Sequence, residues 1–167
     1  MPSAIKSGEG TLIGNAAEYY VVAELLSRRV IAALAPRNAP DFDILATRRD
    51  TDRTVRIRVK AKSDRYTDWQ WVIKKDGIII RNISNDGDFL ILVNLKGECQ
   101  RPDFYIVPTA TVDRWLKETF DKWVAAPGKN DRPHNPANKK RHLTYPHYKE
   151  QLAPFKDAWD SLWANDK

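Results

Sequence analysis

The chain has 167 residues, 42% hydrophobic and 30% charged, with 28 basic against 22 acidic side chains and a net charge of +6. That balance excludes a disordered chain, the single cysteine excludes an intramolecular disulfide, and no uninterrupted apolar run is long enough to span a bilayer. The expectation is a soluble, cytoplasmic protein of one domain, residues 1–167, with no signal peptide in MPSAIKSGEG and a mild bias toward phosphate.

Gly8-Glu9-Gly10 with Gly14 reads as a flexible lead-in, because no strand precedes it and no Lys-Ser/Thr follows. Asn15-Ala16-Ala17-Glu18 reads as a helix start, with Asn15 as N-cap and Glu18 closing a capping box. Ala16, Ala17, Tyr20, Val21, Ala23 and Leu26 keep helical spacing to about Ser27. Arg28-Arg29 then set positive charge against the helix C-terminus. Val30–Leu34 predicts a short strand, since Pro36 and Pro40 follow closely.

Phe42–Ala46 predicts a second strand carrying Asp43, with Asp41 one alternation earlier, and residues 48–53 a polar turn. Thr54–Lys62 alternates without a fault: Val55, Ile57, Val59 and Ala61 point one way, and Arg56, Arg58, Lys60 and Lys62 the other. The two runs predict a hairpin. Trp69–Ile73, Gly77–Arg81, Phe89–Leu95 and Phe104–Val107 predict further strands, the last being the final one. Thr109 is placed to cap a helix whose stripe is Val112, Trp115, Leu116, Phe120, Trp123 and Val124. Residues 126–140 read as a long polar loop, and Leu152, Phe155, Trp159, Leu162 and Trp163 as one face of a last helix. Helix, strands, then helices predict an α/β layer fold.

Cleaving a phosphodiester calls for a hard cation held by carboxylate oxygens, to polarise the phosphoryl group and acidify a water. A nearby lysine orients that water and stabilises developing charge. Asp43, with Asp41 as competitor, Lys60 on the next strand and Glu18 on the preceding helix are the residues suited to it. Singly, each has a plainer reading: a cap for Glu18, turn formers for the aspartates, a solvated strand face for the cations. His134, His142 and His147 lack a metal-ligand spacing and read as surface residues, and Cys99 reads as structural. Trp69 and Trp71 are the candidates for stacking on bases. The loop bearing Lys129, Arg132, Lys139, Lys140 and Arg141 reads as solvated, with backbone contacts to DNA if it covers a groove.

Pro40-Asp41-Phe42-Asp43-Ile44-Leu45 followed by Ile57-Arg58-Val59-Lys60 resembles the core of the PD-(D/E)xK nuclease superfamily, which includes restriction endonucleases and Holliday-junction resolvases. The resemblance covers the first half of the chain. It implies a restriction-endonuclease-like core over about 12–108, a central mixed sheet flanked by helices, and a helical extension over about 109–165. It further implies a metal-dependent DNA endonuclease of repair, recombination or defence. In that role Asp43 and Glu18 would hold Mg²⁺ or Mn²⁺, with Lys60 catalytic and Arg56, Arg58 and Lys62 on phosphates. A homodimer suits enzymes of this kind. The family carries Glu, Asp or Gln where this chain has Arg58. Two unit charges ~4 Å apart at an effective dielectric near ~20 interact by about 4 kcal/mol, so a cation there opposes metal binding. The alternatives are a non-catalytic nucleic-acid-binding module on the same fold and a protein-interaction or inhibitor scaffold.

Overall fold

The computed structural model describes residues 8–36, 41–51, 53–73, 78–80 and 87–164. Pro40 of the motif, and Gly77 and Arg81 of the strand expected there, lie outside the described residues; Ile78–Ile80 are described and form no strand.

A two-residue alternation forces its strand to show opposite faces to two different environments. In β3 (Thr54–Ser63), Val55 and Ile57 are fully buried on one face, while Arg56, Arg58, Lys60 and Lys62 take the other. β3 is the middle strand of a five-stranded mixed sheet ordered β1-β2-β3-β5-β6. β1 (Ile31–Leu34), β2 (Ile44–Thr47) and β3 run antiparallel in turn, forming the expected hairpin. β5 (Asp88–Leu95) lies parallel to β3, and β6 (Asp103–Pro108) antiparallel to β5.

Helix α1 (Glu9–Ser27) covers one face: Ala17, Val21 and Leu25 pack with Ile44, Val55, Ile57, Ile91 and Ile106. α1 begins six residues before the expected start. Gly8, at φ 96, makes the turn that enters it, so Asn15 is interior rather than an N-cap, and Glu18 lies mid-helix rather than in a capping box. Gly10 and Gly14 are helical rather than a flexible lead-in. At the other end Arg29 takes a left-handed φ of 62, and the Val30 N–H donates to the Leu25 carbonyl.

The opposite face of the sheet is covered by helix α2 (Thr109–Ala125), through Val112, Trp115 and Leu116, and by a separate two-stranded ribbon. The ribbon pairs β4 (Asp68–Val72) with β7 (Lys140–Thr144), so β6 is not the last strand and the polar loop ends in one. Thr109 is buried as the first residue of α2 and makes no capping hydrogen bond; Pro108 occupies the cap position. The expected last helix is three pieces: α3 (Tyr145–Leu152) and short 3-10 turns over Ala153–Phe155 and Trp159–Trp163. Pro154 and the positive φ of Asp157 prevent one continuous helix. Trp159, Leu162 and Trp163 nevertheless join the α1 side of the core. Cys99 is exposed in a turn with φ 62, so it is not a core residue.

Among the described residues no helix is long and apolar enough to cross a membrane.

Candidate active site

Asp43 sits one residue before β2 rather than within it. Its main chain is pinned from both sides, because its N–H donates to the Ile57 carbonyl at 2.8 Å and its carbonyl accepts the Ala35 N–H at 2.8 Å. β3 runs on past this point. The Val59 N–H therefore has no ladder partner from β2, and Asp43 Oδ2 accepts it at 2.7 Å. A buried donor left unmade costs about 1–3 kcal/mol, so the carboxylate has a structural duty as well as a chemical opportunity.

Burial pushes the Asp43 carboxyl above its ordinary value. The Val59 N–H and the charges of Arg58 and Lys60 pull the other way without overcoming it. Lys60 is the mirror case: burial holds its ammonium below the ordinary value, and Asp43 pulls it back up. Lys60 Nζ also lies 5.5 Å from the centre of the half-buried Trp71 ring. Arg58 stands in the same field, lowered first by burial and supported by Asp88, Asp41 and Asp43. Asp43, Asp41, Arg58 and Lys60 therefore form one electrostatic cluster. Glu18 is half-buried on α1.

Three residues expected on nucleic acid are committed elsewhere. Arg56 makes a two-pronged ion pair with Asp88, both bonds 2.8 Å, and the Asp88 side chain is only 1% exposed. Lys62 is buried, with Nζ donating to the Tyr66 carbonyl at 3.0 Å and to Asn94 Oδ1 at 2.7 Å. Trp69 has no exposed surface. Its indole N–H donates to the Val93 carbonyl at 3.1 Å, and its ring packs edge-on to Tyr105 and Tyr145, so it cannot stack on a base. Two different partners are responsible: β5 sets Asp88 beside Arg56, and the β4–β7 ribbon covers the end of the face that carries Lys62.

Beside Lys60 opens a cleft of about 230 Å³ bounded by Gly10 and Ile13 of α1, Lys60 and Lys62 of β3, and Asp68 and Gln70 of β4. Asp68 Oδ2 also meets His142 Nδ1 at 2.5 Å, so His142 braces the cleft wall and is more than a surface histidine. Asp68, Gln70, Asp88 and His142 are residues that motif reading passed over. Asp68 and Gln70 alternate with Trp69 and Trp71, which was the available signal; no local pattern links His142 to Asp68. His134 stacks on Trp123, with ring centres 4.0 Å apart, and holds the loop beyond α2.

Among the described residues no three His, Cys, Asp or Glu side chains gather as a metal site. Asp43 has one oxygen on Val59 and one left over. Mg²⁺ commonly keeps several waters and takes one or two carboxylates plus substrate phosphates. The donors thus fit a divalent ion held by one or two carboxylates and completed by water and phosphate, with the Arg58 charge opposing it.

No protein-family model matches the sequence, and no curated protein matches it. Among solved structures the chain is similar to the bacterial homing endonuclease I-Ssp6803I, at 15% identity over 89% of this chain and 87% of that chain, with a TM-score of 0.47. It is also similar to Hjc of Archaeoglobus fulgidus, a Holliday junction resolvase, at 13% identity over 86% of this chain and 88% of that chain, with a TM-score of 0.43. Likenesses at this level leave the site to be read from its own geometry: a half-buried aspartate and lysine, drawn together where β3 outruns β2.

Proposed function

We propose that the protein is a nuclease-type enzyme of the PD-(D/E)xK kind that acts on DNA, with Asp43 and Lys60 as its catalytic pair. The observation that carries this reading is the pairing itself. Lys60 lines a cleft and Asp43 lies within its electrostatic reach, the carboxyl raised and the ammonium lowered by burial. Asp43, with Glu18 as the second carboxylate of this reading, would hold Mg²⁺ or Mn²⁺, which when bound would polarise a phosphoryl oxygen and acidify water. Lys60 orients the attacking water and offsets charge on the phosphate. Arg58 grips a substrate phosphate, whose negative charge offsets the repulsion between the guanidinium and a cation.

Supercoiled plasmid and branched DNA, incubated with Mn²⁺ or Mg²⁺, should be cut, and EDTA should stop it. Asp43→Asn and Lys60→Met should each remove the cutting. Equal cutting by both variants would sink the assignment.

The position of Arg58 favours a second reading, a non-catalytic module that binds the nucleic-acid backbone. In that case no cation supports cutting, binding falls steeply with salt, and Arg58→Glu gains Mn²⁺ affinity. Binding without a salt slope would instead favour a protein partner.

A further inference from the structure

The β4–β7 ribbon turns two unlike rows to its two sides. Trp69, Trp71, Arg141 and Leu143 form the inner row: Trp69 and Leu143 are buried in the core, Trp71 packs against it, and the Arg141 guanidinium covers the Phe120 ring of α2. The register sets Asp68 beside Thr144, Gln70 beside His142 and Val72 beside Lys140 in the outer row. Gln70, Val72 and Lys140 are exposed. Within the row, Asp68 Oδ2 meets His142 Nδ1 at 2.5 Å, and Asp68 Oδ1 accepts from Gln70 Nε2 at a long 3.4 Å. The Gln70 carbonyl oxygen and His142 Nε2 are left for an outside partner.

Shape and chemistry select the occupant. Each strand has five residues and spans roughly 17 Å. The major groove of B-form DNA, about 12 Å wide, admits such a two-stranded ribbon. The major groove of A-form RNA is too deep and narrow for side chains to read. Single strands are gripped by stacking on open aromatic rings, whereas the ribbon's tryptophans are in the inner row. A protein interface has an apolar centre poor in charge, and Val72 is the one apolar side chain of the outer row. Charge is graded along the ribbon. At one end Lys139 and Lys140 are exposed, held there by the Ile73 N–H on the Lys139 carbonyl. The loop leading in adds Lys129 and Arg132 against Asp131. At the other end stands Asp68, bonded to His142. Gln70 lies between, on the wall of the cleft that Lys60 also lines. Cations that meet phosphates fix a protein's register on a duplex, and polar groups that meet base edges read its sequence. The outer row has both.

We propose that the outer row of the β4–β7 ribbon enters the major groove of duplex DNA and reads base edges there, with Gln70 as the specificity-determining residue. A glutamine amide matches the N6 donor and N7 acceptor of adenine, a pattern that only the major groove presents. The inference rests on the reading of the protein as one that acts on DNA, and its test separates the two.

The full chain, in EDTA so that nothing is cut, is used to select from a pool of short random DNA duplexes. A preferred sequence should emerge. Gln70→Ala, an exposed change that leaves the circular dichroism unaltered, should lose ~10-fold or more of the discrimination at one or two base pairs and keep it elsewhere. Lys139→Ala with Lys140→Ala should instead weaken all sequences alike and lower the salt slope by about 2. Replacing purines of the selected site by 7-deaza analogues, which lack the major-groove N7, should reduce binding. Replacing guanine by hypoxanthine, which lacks only the minor-groove amino group, should not. Preferred binding without cutting in Mn²⁺ would support the ribbon's role while removing the catalytic one. Cutting or binding without sequence preference, a preference indifferent to Gln70→Ala, sensitivity to hypoxanthine alone, or no binding to duplex DNA would each overturn the proposal.

Discussion

Two cations of the row on β3, Arg56 toward one end and Lys60 toward the other, hold their charges in opposite ways. At Arg56 the neighbouring strand begins with Asp88 directly across the register, and the two close into a buried, doubly bonded pair. At Lys60 the register partner on β5 is Leu92, which offers no charge, and Asp43 is the acid that pulls the ammonium back up. One end is neutralised and serves the fold. The other keeps an unresolved electrostatic tension next to a cleft, which is where chemistry has a use for it. A count of basic residues along a strand therefore says little about a basic surface; what decides is the residue that each cation meets across the ladder.

That contrast breaks most sharply on activity. Asp43→Asn keeps an oxygen for the Val59 N–H, and Lys60→Met keeps the stem's packing, so both should fold. Each should nonetheless lower the cleavage rate by about 10²–10⁴-fold in a plasmid assay. Their stability should hold or rise by about 0.5–2 kcal/mol in urea melts, because each removes a charge that burial disfavours. Arg56→Ala should do the reverse. It leaves the Asp88 carboxylate buried without its partner, and stability should fall by about 2–4 kcal/mol, somewhat below the full penalty because the Arg56 side chain is 30% exposed. Equal stability losses at the two ends would erase the distinction.

The pH dependence sharpens the same comparison. The Asp43 carboxyl is raised in the folded state, so the fold binds that proton more tightly than the unfolded chain does. Its contribution to stability is fully present below the usual carboxylate value of 3.8 and is lost as pH rises through the raised one. If the ionised form is the catalytic one, as proposed, the acid limb of the kcat/KM profile should lie above that of an ordinary aspartate. An acid limb at or below 3.8 would contradict it. The smallest effect is expected at Gly14, where a Cβ would meet nothing within 4 Å. Gly14→Ala should stabilise α1 by about 0.5–1 kcal/mol, measured by thermal unfolding, and should leave cleavage unchanged.

The β2–β3 hairpin was legible because its alternation runs over consecutive residues, with Lys60 on it and Asp43 one residue before its first strand. The α1 start was obscured because its apolar residues face two ways, so the periodicity gives no single edge, and Asn15 offers a plausible but unused cap. The burial of Trp69 and Lys62 was hidden for a different reason. It depends on β7, a strand of Lys, Arg, His, Leu and Thr that follows a polar loop and has no pattern of its own beyond Arg141 and Leu143 turning inward. Propensity cannot see a strand whose reason for existing is a partner far away in the chain. The ion pair of Asp88 with Arg56 escaped notice likewise, since only the parallel register of β5 on β3 sets the two side by side.

The β4–β7 ribbon also orders events in time. β2 and β3 are joined by a short turn and can pair as soon as both are made, whereas Asp68–Val72 must wait for Lys140–Thr144, far later in the sequence. One wall of the cleft, with Asp68, Gln70 and its brace His142, is thus a late product of folding. Pulse-labelled hydrogen exchange should find the β2–β3 amides protected before those of β4. A nascent chain would then carry Asp43 and Lys60 in place while still lacking that wall, so the cleft is complete only once Lys140–Thr144 has been made and paired.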